Sequence, residues 1–370
     1  MKIGILTLPF NNNYGGYLQS YALMTVLKRM GHEPTLIMRR FNVQPVSLLS
    51  RVKFAIVGLI KSLVWFNFYP IIYSPDSYFQ FSGKKMLFFV NKYIQPQTKY
   101  IYSEAELIKV CKGNFDAYIV GSDQVWRPNY VRGIIGNLFL DFTKGWNVKR
   151  IAYAASFGTN LPEYTEKERM ICKLLIEQFD AVSFREYSGL KVIEDFNWNI
   201  KYPFVVLDPT LLLSKEDYDK LIPLANKQVE GKIFCYVLDK SEEAVNTLSI
   251  IQKKINKPLS EISGIGNNNS VLPSVETWLS SIRDSDFVLT DSFHGTVFSI
   301  IFNKPFAVYV NKNRGASRFE YILNQFGLED HIISEKYDIS KAYNVDWNIV
   351  NKIIQEKAAY SKSFLHNSLN

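Results

Sequence analysis

Two side chains in this sequence are best placed to do chemistry. They are a histidine in Asp291-Ser292-Phe293-His294-Gly295 and an arginine in Ser183-Phe184-Arg185-Glu186. Each stands where an apolar run ends in polar residues and an amphipathic pattern begins, so each marks the carboxyl end of a strand and the start of a helix. Imidazole gives or takes a proton near neutral pH, and guanidinium presents a planar fork that fits carboxylate or phosphate. Asp123, in Gly121-Ser122-Asp123-Gln124-Val125-Trp126, follows another apolar run and could accept a hydrogen bond from a hydroxyl or act as a base. Each also has a structural reading: His294 hydrogen-bonded within a turn, Arg185 ion-paired with Glu186, and Asp123 closing an Asx-turn or helix cap. With only four histidines in the chain, His294 at such a position reads as functional.

The elements that must hold these residues are those of an α/β protein. Lys2 to Leu8 reads as a buried strand, followed by a polar loop, Asn11-Asn12-Asn13-Tyr14-Gly15-Gly16, and a helix marked by Leu18, Tyr21, Ala22, Met24 and Leu27. The loop is neither the dinucleotide fingerprint nor a phosphate loop with its lysine, but its amides and backbone N–H groups could hold sugar hydroxyls or an anion. Further strands are expected at 33–38, 115–120, 150–156, 181–184 and 204–208. A second strand–helix series follows: strands at 232–238, 286–290 and 306–310, a strand and loop around 262–269, and helices at 241–255, 274–282 and 319–326. In such folds, ligands bind beyond the carboxyl ends of the strands, where helix N-termini favour anions and a residue such as Gly295 lets backbone approach a ligand. A boundary near residue 213 would give an N-terminal Rossmann-like domain, 1–213, and a C-terminal one, 214–370, with a final helix at 346–365.

At 370 residues, with 47% hydrophobic and 21% charged residues, the chain is globular and long enough for two domains. A net charge of +8 favours an anionic partner: nucleic acid, a phosphate-bearing substrate or a membrane surface. Nucleic acid comes last, because there is no Lys/Arg run and no RNA-binding aromatic signature. Cys111, Cys172 and Cys235 lack ligand spacing and read as buried thiols in a reducing compartment. The N-terminus opens directly on a strand and has no signal-peptide pattern, so a cytoplasmic protein is expected.

The stretch 48–89 reads as an apolar insertion. Leu48 to Ile72 is rich in aromatics and aliphatics but is broken by Arg51, Lys53, Lys61 and Pro70, which argues against a membrane-spanning helix. Two readings remain: a basic, amphipathic segment at a membrane interface, or a helical insertion packed on its own domain.

Taken in order, five fragments resemble the polysaccharide pyruvyl transferase family: Asn13-Tyr14-Gly15, Gly121 to Trp126, Ser183 to Glu186, Leu207-Asp208-Pro209-Thr210, and Asp291 to Gly295. Ser317-Arg318-Phe319 before a Leu-containing helix is similar too. The resemblance covers nearly the whole chain. It implies a GT-B-like fold, with two Rossmann-like domains facing across a cleft and the last helix returning to the first domain. It also implies transfer of the pyruvyl group of phosphoenolpyruvate to a pair of sugar hydroxyls, forming a cyclic ketal, with no metal or other cofactor. The acceptor would be a saccharide or lipid-linked oligosaccharide in surface polysaccharide synthesis.

By the same resemblance, Arg185 holds the donor and His294 is the acid. Asp123 joins His294 as a catalytic residue, and Asn13, Tyr14, Gly15, Gly16, Gln124, Ser292, Gly295, Arg314 and Arg318 line the substrate site. One departure stands out. The family pattern has arginine two residues before the histidine, and here that residue is Ser292. Arg314, Arg318 or Lys304 would have to supply the missing phosphate contact, unless the donor or acceptor differs. Two other functions fit the same fold: a glycosyltransferase using a sugar nucleotide, and a non-catalytic carbohydrate- or anion-binding protein.

Overall fold

The computed structural model describes residues 1–42, 48–64, 75–131, 133–159, 163–222, 224–239, 241–262, 271–310, 316–334 and 337–370. Two parallel sheets organise it. The first contains β1 (Lys2–Leu6), β2 (Glu33–Leu36), β3 (Ala117–Val120), β4 (Lys149–Ala155), β5 (Ala181–Phe184) and β6 (Phe204–Val205), in the order β2-β1-β3-β4-β5-β6. The second contains β7 (Ile233–Tyr236), β8 (Leu259–Glu261), β9 (Phe287–Thr290) and β10 (Phe306–Val308), in the order β10-β9-β7-β8. The central strands Ala117–Val120, Ile233–Tyr236 and Phe287–Thr290 are buried at every residue. This is why they read as unbroken apolar runs rather than alternating ones: helices cover both faces of a parallel sheet.

Strand order reverses between β1 and β3 in the first sheet and between β7 and β9 in the second. At such switch points the connections leave in opposite directions and open a crevice at the carboxyl ends. The Asn13 and Asp123 loops lie at the first crevice, and the His294 loop lies at the second.

The two domains share one apolar cluster, which runs from Ile3 and Ile5 through Leu23 and Leu27 to Trp278, Val288 and Phe298. Tyr14, the first residue of the helix Tyr14–Arg29, is fully buried in it. Its ring stacks on Trp278 at 5.2 Å, and its hydroxyl donates to the Pro273 carbonyl at 3.0 Å. The helix Trp347–Leu369 returns to the first domain. There Ser361 Oγ accepts from Leu207 N at 3.0 Å, and Phe364 packs against Phe204 and Tyr153.

One expectation needs revision. The strand expected at 262–269 is found at Leu259–Glu261; this edge strand has exposed Leu259 and Glu261 and therefore lacks the apolar run that marks the others. Residues 263–270 lie outside the described residues. In the insertion, Leu48–Val64 is one helix, its cations notwithstanding, while 65–72 lies outside the described residues. Among the described residues no helix is long and apolar enough to cross a membrane.

Candidate active site

His294 is positioned by a short strand-to-helix turn. Ser292 caps the helix Phe293–Ile301, its Oγ accepting from Gly295 N, while its own N–H donates to Thr290 Oγ1 at 3.0 Å. The Asp291 carboxylate accepts from Leu238 N at 2.7 Å and Asp239 N at 2.6 Å, which ties this turn to the end of β7. A Cβ on Gly295 would strike Thr290 Oγ1, so glycine is needed there for close approach to the chain's own strand. Ser292 is likewise committed to the cap.

Arg185 follows β5 directly and is only 2% exposed. Its Nη1 donates to Asp208 Oδ2 at 3.1 Å, Nε to Glu186 at 3.3 Å, and Nη2 stands 3.5 Å from Asp123 Oδ1. Its other face lies over the Phe293 ring, 4.2 Å from the centroid, a cation–π contact from the second domain. His294 is 4% exposed, with Nε2 3.6 Å from the same Asp208 Oδ2. The arginine of one domain and the histidine of the other therefore meet on a single carboxylate oxygen.

That oxygen is heavily engaged. Gln19 Nε2 donates to it at 2.6 Å and Ser122 Oγ at 3.2 Å, while Oδ1 takes the N–H and hydroxyl of Thr210. Burial alone would raise the Asp208 pKa, but His294, Arg185 and Thr210 outweigh it and hold this carboxyl well below the usual range. Burial opposes the charge on Arg185 too, yet Glu186, Asp123 and Asp208 keep the guanidinium firmly protonated. Around Asp208, Arg185 Nη2 and His294 Nε2 are buried and nonetheless have no hydrogen-bond partner. Natural structures rarely leave such groups unsatisfied, and those that remain call for a ligand or a functional reason.

The first helix completes the site. Asn13 caps it through Gly15 N at 3.1 Å and extends Nδ2 towards Asp123 Oδ2 at 3.4 Å. Any side chain on Gly15 would run into the imidazole of His294, so the first turns of two helices from different domains are in contact. Their partial positive ends converge where the unsatisfied donors lie. A Cβ on Gly16 meets nothing.

Other expected residues fall into distinct places. Arg318 is buried near this cluster: desolvation and then the charge of Arg185 press its pKa down, while Glu186 and Asp123 oppose that. Gln124 is nearby but accepts from Arg127 at 3.1 Å and fills the space over Gly158. Tyr14 serves the domain interface. Arg314 lies outside the described residues. Lys304 cannot replace the missing family arginine, because it precedes β10, beside Asp286 and Asp284, at the opposite end of the sheet from His294.

Sequence reasoning assigned no role to Asp208, Gln19, Ser122 or Phe293. Asp208 carried a signal, since it is a carboxylate just after the short strand β6 and directly before Pro209. Gln19 carried a weaker one, as a polar residue between Leu18 and the apolar stripe of its helix.

The architecture matches that of GT-B-fold enzymes. Similar solved structures include the UDP-GlcNAc 2-epimerase of Neisseria meningitidis bound to UDP-GlcNAc (10% identity, 100% of this chain and 99% of that one, TM-score 0.51). The UDP-GlcNAc 2-epimerase of Methanocaldococcus jannaschii is comparable (13% identity, 96% and 99%, TM-score 0.52). At such identities the likeness is one of fold. No curated protein matches the chain. The polysaccharide pyruvyl transferase family matches residues 13–313, most of the sequence, and the chain belongs to that family.

Proposed function

We propose that the protein transfers the pyruvyl group of phosphoenolpyruvate to two hydroxyls of a saccharide, free or lipid-linked, closing a cyclic ketal. The observation that carries this reading is the pair of buried, unsatisfied donors, Arg185 Nη2 and His294 Nε2, at the meeting of two helix N-termini. Together they suit a small anion that must be both held and protonated.

Arg185 and His294 are almost inaccessible in the closed arrangement, so substrates reach them when the domains part. The donor carboxylate takes Arg185 Nη2, where Asp123 is the most distant of the three carboxylates. Asp123, released from the arginine, accepts the proton of the attacking hydroxyl. As that oxygen bonds to the central carbon, the enol π pair takes a proton from His294 and becomes a methyl group. Phosphate then leaves with the C–O electron pair as the second hydroxyl bonds to the same carbon, its proton passing back to His294, which the first step left neutral. Arg318 and the helix N-termini stabilise the departing phosphate, the part that arginine at position 292 would otherwise take. In this reading phosphoenolpyruvate brings its own activated group, and nucleic acid has no part.

The reading is tested by thermal unfolding and turnover. Phosphoenolpyruvate should raise the melting temperature and sugar nucleotides should not, since a ligand stabilises the state that binds it. Incubation with phosphoenolpyruvate and a panel of galactosides should release phosphate only with acceptors that carry a suitably placed hydroxyl pair. Stabilisation by UDP-sugars alone, without phosphate release from phosphoenolpyruvate, would contradict the proposal.

A further inference from the structure

The helix Leu48–Val64 departs from the usual rule for a surface helix. In a globular protein the aliphatic stripe of such a helix turns inward. Here Leu49, Val52, Ile56, Leu59, Ile60 and Leu63 recur at helical spacing and are 84%, 51%, 51%, 62%, 54% and 73% exposed. Gly58, on the opposite side, is buried. The helix presents this aliphatic stripe outward, and Phe54 and Val57 beside it are 43% and 42% exposed as well.

Its charge is of a single sign. Arg51, Lys53 and Lys61 lie on it, and no acidic residue occurs anywhere between Glu33 and Asp76. Lys53 is exposed beside the stripe. We propose that this helix lies flat in the surface of an anionic lipid bilayer, with its aliphatic stripe among the acyl chains, Lys53 at the headgroups, and the positive charge of the segment favouring anionic lipid. At 17 residues it is about 25 Å long, too short to cross and well suited to lie in the interface. A second copy of the chain fits less well. The stripe offers on the order of 250 Å² (about 25 Å by 10 Å), against about 800 Å² per partner in a stable complex. Pairing would also bring two sets of cations together, whereas anionic headgroups complement them.

The test is co-sedimentation of the full chain with phosphatidylcholine vesicles, with and without phosphatidylglycerol, at low and high salt. The parallel variant is Leu59→Glu/Leu63→Glu, whose side chains are exposed and should leave the thermal unfolding temperature unchanged. The proposal predicts binding to the phosphatidylglycerol vesicles that salt weakens, and a loss of about tenfold or more in the variant. It is overturned if the chain stays in the supernatant with anionic vesicles, or if the variant binds as well as the parent. It is equally overturned if light scattering shows a dimer that the variant dissolves while no vesicle binding occurs. Phosphate release measured without vesicles does not depend on this surface, so its success or failure bears only on the catalytic reading.

Discussion

Gly15 and His294 touch across the domain interface so closely that a Cβ on residue 15 would fall within the imidazole ring. Gly15→Ala should therefore displace His294 or push the domains apart. The neighbouring Gly16 faces open space, and there alanine should only help the helix, by up to about 1 kcal/mol. Thermal unfolding should show Gly16→Ala as stable as the parent or more so, and Gly15→Ala should be impaired in both stability and phosphate release.

Asp208 is the carboxylate on which both domains converge. Asp208→Asn preserves the shape but removes the charge facing Arg185 and His294. Breaking a buried ion pair from one side costs about 3–5 kcal/mol, and the surviving Glu186 and Asp123 contacts should place this variant at the lower end. Donor affinity should persist, because the site becomes more positive, while turnover falls about a hundredfold as His294 loses its anchor. Denaturant titration and a separation of kcat from KM check this.

A second contact joins the first helix to the segment between the two sheets. Arg29 makes a two-pronged salt bridge to Asp217, at 2.9 and 2.7 Å. Hydrogen bonding from Arg29 lowers the Asp217 pKa to about 2 despite some burial. A carboxyl depressed from its ordinary value of about 3.9 contributes stability above that value and loses it as pH falls through the folded one. Arg29 is half exposed, so the contribution is about 1 kcal/mol rather than the larger figure the shift alone would give. Arg29→Met should cost that amount at pH 7, and the deficit should shrink between pH 4 and pH 2 in denaturant titrations.

Arg185 and His294 should fail in different ways. Arg185→Ala removes a charged contact from a nearly dry site, which costs on the order of 2–4 kcal/mol in donor binding. His294→Ala removes a general acid worth about 10²–10⁴ in rate while sparing most donor affinity. Calorimetric titration of phosphoenolpyruvate into each variant, alongside turnover, separates the two roles.

Much of this site was legible because βα turns announce themselves. Asp291-Ser292 after a buried run is a capping signal, and Ser292 heads its helix as expected; Asn13, read as part of a polar βα loop, proves to cap the helix that follows it. Position at a strand end also singled out Arg185, His294 and Asp123 before any geometry was known. What the sequence could not convey was which partners the fold would bring together. Asp208 lies 23 residues from Arg185, beside which the pairing of β5 with β6 sets it, and 86 from His294, which only the facing of the two sheets brings to them. Tyr14 and Gly295 show the converse limit: residue type suggested ligand contact, while their packing against Trp278 and Thr290 was not legible in the sequence. The exposed stripe on Leu48–Val64 was visible as amphipathicity, whereas its outward direction depended on the tertiary fold.

The most direct test of the central claim is to run the reaction in D₂O with phosphoenolpyruvate and an accepted saccharide, and to examine the product by NMR. If His294 delivers a solvent-exchanged proton to the enol carbon, the ketal methyl group should carry one deuterium, with phosphate released in equal amount. His294→Gln should form this product at least about a hundredfold more slowly. A product that keeps the vinyl group, or a His294→Gln variant that matches the parent rate, would contradict the account.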